Sequence, residues 1–222
     1  MKKSTIITYG GHMKNCPIRK IGIMGGTFDP IHYGHLRAAD EAHAALNLSE
    51  VIFIPTGVPP HKTGQRVTSA EDRYMMTVLA TTDCPYFSVS RIEIERKGTS
   101  YTADTLNILS LMPEYQDAEF YFITGLDAVM NILTWKNTGD ILKKCKFVAV
   151  SRYGYTHKHL QNELTKDFLK LIIPLEIPLL AISSTELRER IRNNRSIRFL
   201  VPPLVDNFIE KNNLYKKSYG GI

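Results

Sequence analysis

The chain has 222 residues, of which 43% are hydrophobic and 23% charged, so one sizeable domain with a buried core is expected. No apolar run approaches the roughly 20 residues that span a bilayer, and the first residues contain no apolar stretch of the signal-peptide type, so we expect no membrane segment. The formal net charge of +6 suits a solvated basic surface or attraction of anionic ligands, and the widely spaced cysteines predict reduced thiols in a cytoplasm.

Residues 1–18 lack periodicity and are interpreted as a leader, whereas residues 19–222 are expected to form a single domain. Short apolar runs predict strands at 20–24, 51–55, 119–124 and 147–151, with a weaker strand inside 168–177. An alternating pattern predicts a half-exposed strand at 87–95. Apolar spacing and capping signals predict helices at 33–47, 69–81, 102–111, 127–135, 138–145, 183–193 and 202–212. Two of these helices begin with capping boxes, Thr68 with Glu71 and Ser183 with Glu186. Strands that alternate with helices predict an α/β fold with a doubly wound parallel sheet.

The first predicted strand runs into a glycine pair, Gly25 and Gly26, after which a helix begins. Ligands bind at the carboxyl ends of the strands in such sheets, so this turn is the expected ligand crevice. Glycines allow the backbone to approach a phosphate chain, and the N–H groups at a helix start attract an anion. A glycine pair after a strand is by itself usually only a turn.

Two histidines, His32 and His35, lie three residues apart where this helix starts. That spacing puts both imidazoles on one side of the first turn, and Gly34 is expected to leave the space between them open. Such a pair can donate hydrogen bonds to the oxygens of one phosphate and stabilise charge that develops on phosphorus. A lone histidine here would usually be a cap or a surface residue, but its combination with the glycines points to phosphate chemistry.

The segment GGTFDPIHYGHL, which begins at Gly25, resembles the signature of the HxGH nucleotidyltransferases. Further segments match, in order, one branch of that superfamily, the bacterial nicotinate mononucleotide adenylyltransferases: PPHK at 59–62, SYTADT at 100–105, GLD at 125–127 with Trp135, and ISSTELR at 182–188. The resemblance extends from about residue 20 to 215 and implies a Rossmann-like nucleotidyltransferase fold. Leu126 departs from the alanine that is usual in the family, and we expect it to narrow the nucleotide pocket slightly.

The resemblance implies that a phosphate oxygen of the mononucleotide attacks the α-phosphorus of ATP and that pyrophosphate leaves, without a covalent enzyme intermediate. The product would be nicotinate adenine dinucleotide, in NAD biosynthesis. His35 is then expected to be the principal stabiliser of the transition state, with His32 on the ATP phosphates. Mg²⁺ is expected to arrive with ATP, because the sequence shows no carboxylate cluster for a dedicated metal site, and Asp29 is interpreted as fixing the turn.

The same resemblance assigns binding residues to each substrate. For ATP they are Gly25, Gly26, Thr27, His32, His35, Gly125, Asp127, Ser183, Ser184, Thr185 and Arg188. For the mononucleotide they are Thr27, Phe28, Lys62, Tyr101, Thr102, Trp135 and Lys136. Trp135 would stack on the pyridine ring, Lys62 would reach a phosphate, and backbone amides near Thr102 and Lys136 would hold the ring carboxylate. A structural role stays open for three of them: Lys62 as a solvated loop lysine, Trp135 as a core residue and Asp127 as an acid at a helix N-terminus.

Several alternatives to nicotinate mononucleotide adenylylation remain at this point. The same chemistry could use nicotinamide mononucleotide or phosphopantetheine, although PPHK, SYTADT and Trp135 favour a pyridine nucleotide. An aminoacyl-tRNA synthetase fragment shares an HxGH-type signature, but the chain contains no KMSKS-like segment. A non-catalytic nucleotide sensor would not require both histidines. The arginines between 188 and 198 scatter around a helix, so no nucleic-acid partner is expected, and a homo-oligomer is left open.

Overall fold

The structure is a computed structural model that describes residues 18–59, 67–130, 135, 137–151, 169–178 and 180–216. Within these residues lie six strands, namely β1 (Lys20–Gly26), β2 (Glu50–Pro55), β3 (Phe87–Val89), β4 (Glu119–Gly125), β5 (Cys145–Ser151) and β6 (Ile172–Glu176). All neighbouring strands are parallel, in the order β3-β2-β1-β4-β5-β6. The predicted α/β fold with a parallel sheet is therefore confirmed.

Helices connect the strands, and two further helices follow the last strand. The helices are α1 (Tyr33–Leu46), α2 (Ala70–Thr81), α3 (Ile92–Glu95), α4 (Thr102–Leu111), α5 (Leu126–Met130), α6 (Thr138–Lys144), α7 (Ser184–Arg192) and α8 (Pro203–Lys211), with a 3₁₀ turn at Pro113–Tyr115. No helix in the described part of the chain is long and apolar enough to cross a membrane. The predicted leader lies almost wholly outside the described residues, which begin at Ile18, and stays a prediction.

Two elements differ from the prediction. The predicted strand at 87–95 is wrong beyond Val89, because the chain turns there into α3: the Ile94 N–H bonds to the Arg91 carbonyl at 2.8 Å. The alternation at 87–95 does not separate a buried from an exposed face, because the charged Glu93 is only 8% exposed. The N-cap of α2 is Ser69, not Thr68, since the Ser69 hydroxyl oxygen accepts the Asp72 N–H at 3.1 Å.

The sheet is covered on both faces, as a doubly wound fold requires. Successive strand residues point to opposite faces, so Ile52 and Ile54 pack into one core cluster and Val51 and Phe53 into the other. The first cluster includes residues of α4, α5 and α6, and the second includes residues of α1, α2, α7 and α8. Leu126 is 6% exposed and lies in the first cluster. Its side chain packs in this cluster, and the expectation that it narrows the nucleotide pocket stays a prediction.

The strand order reverses between β1 and β4, and these two strands separate at their carboxyl ends. Their pairing runs from Lys20 opposite Glu119 to Ile23 opposite Phe122. By contrast, β1 stays paired with β2 as far as Gly26 opposite Pro55. The last residues of β1 and β4 therefore border a crevice at the topological switch point, where open α/β sheets bind ligands.

Candidate active site

Two cavities meet at this switch point. We call the first the Trp135 cavity: it has a volume of about 550 Å³ and is lined by residues including Thr27, Tyr101, Thr102 and Trp135. We call the second the histidine cavity: it has a volume of about 570 Å³ and is lined by residues including His32, His35, Gly125 and Ser183. Gly25 and Thr124, near the ends of β1 and β4, line both. A ligand in one cavity would therefore lie next to a ligand in the other.

The two histidines of the motif stack on each other. Their ring centroids are 3.8 Å apart and the planes differ by 24°. His32 is the N-cap residue of α1, and its backbone N–H donates to Nδ1 of His35 across 3.3 Å. This hydrogen bond orients the His35 ring, and it requires the neutral His35 ring to carry its proton on Nε2. Nε2 is thus the ring nitrogen of neutral His35 that carries a proton.

Burial holds both histidines in the neutral state. It lowers the pKa of His32 from 6.5 to about 4. The pKa of His35 lies well below its ordinary value, first because of burial and second because of repulsion from a charged His32. His32 is 5% exposed. The capping box at the start of α1 turns its side chain toward the His35 backbone N–H, which holds the ring against the helix start.

The depressed pKa of His32 predicts that the fold loses stability as the pH falls from 7 toward 4. Between the folded pKa of about 4 and the unfolded value of 6.5, the unfolded chain binds a proton that the folded chain excludes, so the free energy of unfolding rises with pH. The full difference is on the order of 3 kcal/mol. Thermal unfolding between pH 4.5 and 7 would show a shallower pH dependence for His32→Asn than for the unsubstituted protein. An equal pH dependence of thermal unfolding in the two proteins would contradict the lowered pKa of His32.

Gly34 and Phe28 hold the histidine pair from two sides. A Cβ on Gly34 would lie 2.9 Å from His32 Nδ1 and 3.0 Å from its Cε1. The glycine therefore makes room for the His32 ring itself, and the expectation of an open space between the imidazoles is wrong, because the rings stack. The Phe28 ring is 2% exposed and meets His35 edge to face, with centroids 5.1 Å apart. Phe28 adopts a left-handed backbone conformation, with φ at 49°.

The start of α7 is docked on the same motif. The predicted cap is confirmed, because the Ser183 hydroxyl oxygen accepts the Glu186 N–H at 3.1 Å. The Ser184 hydroxyl donates to the Pro30 carbonyl at 2.9 Å, and Arg188 donates to the Asp29 carbonyl at 2.7 Å. These bonds bring the amino end of α7, with its favourable field for anions, beside the histidine cavity.

The Trp135 cavity combines an aromatic wall with polar groups. Trp135 is half-buried and meets the Phe122 ring edge to face, with centroids 5.9 Å apart. Thr102 is the first residue of α4, so the helix amides at this point favour an anionic group in the cavity. Glu93 also lines the cavity; burial raises its pKa, and its carboxylate accepts a hydrogen bond from the Thr105 hydroxyl at 2.7 Å.

Comparison with known proteins places the chain in a family. A sequence profile of the Cytidylyltransferase-like family matches residues 23–190. A protein of Thermoanaerobacter sp. (strain X514) named "Probable nicotinate-nucleotide adenylyltransferase" is 47% identical over 201 residues, which cover 89% of this chain and 95% of that protein. A protein of the same name from Moorella thermoacetica is 46% identical, covering 91% of this chain and 94% of its own. The chain belongs to the nicotinate-nucleotide adenylyltransferase family.

Solved structures support the fold of this adenylyltransferase family member. The Plasmodium falciparum nicotinic acid mononucleotide adenylyltransferase complexed with NaAD superposes with a TM-score of 0.70 at 22% identity, covering 89% of this chain and 97% of that one. The same enzyme complexed with APC gives a TM-score of 0.69. The Rossmann-like nucleotidyltransferase fold that the resemblance implied is thereby confirmed.

The structure brings together many of the residues expected in the adenylyltransferase site. The Trp135 cavity is lined by Gly25, Gly26, Thr27, Tyr101, Thr102 and Trp135, and the histidine cavity by Gly25, His32, His35, Gly125 and Ser183. Ser184, Thr185 and Arg188 lie in the docked first turns of α7. Phe28 is buried against His35 and supports that ring instead of forming a cavity wall.

Three expected site residues cannot be placed by their side chains. Lys62 and Lys136 lie outside the described residues. Asp127 lies in α5, immediately after the end of β4, but its side chain is outside the description. Their roles stay predictions.

Sequence reasoning missed two residues of the site walls and a third, Arg73, that lies behind them. Thr124 lines both cavities from the end of β4, and Glu93 lines the Trp135 cavity. Arg73 is 1% exposed and donates hydrogen bonds to backbone carbonyls around that cavity. The position of Thr124 before Gly125, at the end of an apolar strand, was a usable signal. Nothing local distinguishes Arg73 from a solvated helix arginine.

Proposed function

We propose that this chain transfers AMP from ATP to nicotinate mononucleotide, giving nicotinate adenine dinucleotide and pyrophosphate in NAD biosynthesis. One observation carries the proposal: the neutral, stacked His32–His35 pair lines one of two cavities that meet at the switch point. Membership of the nicotinate-nucleotide adenylyltransferase family supports this substrate pair. Two adjoining cavities fit a reaction that joins two nucleotides directly.

Each substrate has a cavity of matching chemistry. ATP is assigned to the histidine cavity, where His32, His35, Gly125 and the capped start of α7 offer donors to its phosphates. The mononucleotide is assigned to the Trp135 cavity, where Trp135 offers an aromatic face to the pyridine ring. Amides at the start of α4 near Thr102 would hold the ring carboxylate, as would those near Lys136. Lys62 and Asp127 keep the roles expected from the resemblance, on a mononucleotide phosphate and on the adenylate portion respectively.

The reaction is a direct displacement on phosphorus. A phosphate oxygen of the mononucleotide forms a bond to the α-phosphorus of ATP, and the bond from that phosphorus to the bridging oxygen of pyrophosphate breaks. Gly25 and Thr124 line both cavities, so the α-phosphate is expected to lie beside them. His35 donates from Nε2 to the oxygens on which negative charge grows, and His32 holds neighbouring phosphate oxygens. Catalysis is then positioning and electrostatic stabilisation.

Mg²⁺ is proposed to enter with ATP. Among the described residues, no group of three or more His, Cys, Asp or Glu side chains could hold a metal ion. The Asp29 carboxylate already accepts the Thr68 N–H at 3.4 Å and the Tyr215 hydroxyl at 2.7 Å. In this proposal the ion is held mainly by substrate phosphates and water. When bound, the ion would neutralise charge on the phosphates.

The proposal is tested by following pyrophosphate release from ATP with three acceptors: nicotinate mononucleotide, nicotinamide mononucleotide and phosphopantetheine. We expect fastest release with the nicotinate compound and a dinucleotide product by mass spectrometry. The widely spaced cysteines support a reducing cytoplasm as the compartment, so the assay is run with reduced protein. Release with phosphopantetheine alone would overturn the acceptor assignment, and folded protein that is silent with all three would overturn the reaction.

A further inference from the structure

Arg73 is a fully buried cation that contacts backbone carbonyls from three separate connections. Its Nη1 donates to the Thr27 carbonyl at 2.8 Å, in the turn after β1. Its Nη2 donates to the Gly57 carbonyl at 3.1 Å, in the turn after β2, and its Nε donates to the Thr68 carbonyl at 3.0 Å, just before α2. Because a guanidinium is planar and rigid, one side chain fixes the relative positions of all three segments.

Two of these segments, the turns after β1 and β2, form part of the wall of the Trp135 cavity. Thr27 lines that cavity directly, and Thr56 and Pro59 line it on either side of Gly57. The Gly57 peptide is held from its other side as well, since its N–H donates to the Ser100 hydroxyl oxygen at 3.1 Å. The histidine cavity has none of Thr27, Gly57 or Thr68 among its described lining residues. The contacts of Arg73 are thus confined to one of the two substrate cavities.

Burial lowers the pKa of Arg73, and nearby acidic groups oppose that effect in part. Asp29 and Glu93, both buried carboxylates, lie close enough to stabilise the guanidinium against the cost of burial. No room remains for adjustment at Gly57, where a Cβ would lie 2.1 Å from the Glu93 carbonyl oxygen. The wall is therefore tightly packed, and a lost bond to Arg73 cannot be replaced by water without movement of the backbone.

We propose that Arg73 is a positioning residue that sets the shape of the mononucleotide cavity, while leaving the ATP cavity unaffected. The inference rests on the proposed function only for the identity of the two ligands. A lysine at this position keeps the charge but offers a compact ammonium that cannot reach three carbonyls in one plane. Arg73→Lys should therefore weaken binding of the mononucleotide selectively, through the positions of Thr27 and Gly57.

The test measures affinity for each substrate separately. Trp135 is the only tryptophan of the chain and lines the Trp135 cavity, so its fluorescence reports binding of nicotinate mononucleotide without turnover. For Arg73→Lys we expect Kd for the mononucleotide, and KM for it in the pyrophosphate assay, to rise at least about tenfold, the scale of a lost charged hydrogen bond. KM for ATP should stay within about twofold of its original value. A change of that size is smaller than the loss of one charged hydrogen bond produces.

A matched control separates positioning from general stability. Thr77 is fully buried in α2, one turn after Arg73, and its hydroxyl donates to the Arg73 carbonyl at 2.7 Å. Thr77→Val should lower the thermal midpoint and leave both substrate affinities unchanged. Folded Arg73→Lys with an unchanged mononucleotide Kd, or with equal losses for both substrates, would overturn the proposal.

A second variant covers the case in which Arg73→Lys does not fold. Ser100→Ala releases the Gly57 N–H from the opposite side, and we expect it to raise KM for the mononucleotide more than KM for ATP. An unchanged mononucleotide KM in Ser100→Ala would then overturn the role of the Gly57 position. If the unsubstituted protein fails to transfer AMP to nicotinate mononucleotide, the proposed function fails instead, a result distinguishable from any failure of the variants.

Discussion

Replacing His35 by alanine is expected to lower kcat at least about a hundredfold, the scale of one lost transition-state donor. His35 is oriented by the His32 N–H on its Nδ1 and is kept neutral by burial, so its Nε2 proton is available to a phosphate oxygen. The loss should fall on kcat more than on KM for ATP, because the donor strengthens its bond only as charge develops. Steady-state pyrophosphate release with saturating substrates measures it.

The matched control for this variant is His43→Ala in the same helix. The His43 ring stacks on Tyr86, with centroids 3.8 Å apart, and lines neither cavity among the described residues. It should keep kcat within about twofold, because it removes no hydrogen bond to a substrate. Near-normal turnover in His35→Ala, with folding intact, would remove His35 from the mechanism.

The Gly34→Ala variant is expected to lower kcat by about tenfold or more, through displacement of a neighbouring ring. Its Cβ would approach His32 Nδ1 to 2.9 Å, a distance that forces the ring to move. His32 is 5% exposed and stacked on His35, so it cannot move without disturbing both imidazoles. Overpacking of this kind also costs about 1–3 kcal/mol of stability, and a thermal melt would measure that cost beside the kinetics.

Gly139→Ala provides the comparison for Gly34→Ala. Gly139 is likewise the second residue of a helix, and a Cβ added there meets no atom within 4 Å. The alanine should be neutral or slightly stabilising, because it restricts the unfolded chain and favours the helix. If Gly34→Ala and Gly139→Ala have the same kcat and thermal midpoint, the close packing of His32 on Gly34 contributes to neither catalysis nor stability.

Local sequence determined the order of strands and helices and the place of the ligand crevice. Apolar runs such as 51–55 and 147–151 bury both faces in a parallel sheet, so they are recognisable without tertiary information. The same holds for the glycine pair and the two histidines, because their chemistry depends on short spacing at one strand–helix turn. The cap at Ser183 is likewise a local hydrogen bond to a residue three positions later.

Several features of the site depend on how side chains pack in three dimensions, which the sequence pattern does not show. Leu126 sits beside Gly125 in sequence, yet only the packing of α5 on the sheet turns its side chain into the core. The His32 ring leaves no space for a side chain at position 34, and the Phe28 ring packs edge to face on His35. Both contacts can be recognised only when the rings are placed in three dimensions.

The sequence by itself therefore determined the fold class, the phosphate-binding turn and the pair of histidines, because each follows from periodicity or from neighbours within a few residues. Only the tertiary structure decided that the histidines stack in a neutral state and that two cavities meet at Gly25 and Thr124. It also decided that Arg73 joins three turns, since Thr27, Gly57 and Thr68 reach one guanidinium only after the sheet and α2 have packed. Burial and long-range hydrogen bonding set these features, and no local pattern encodes either.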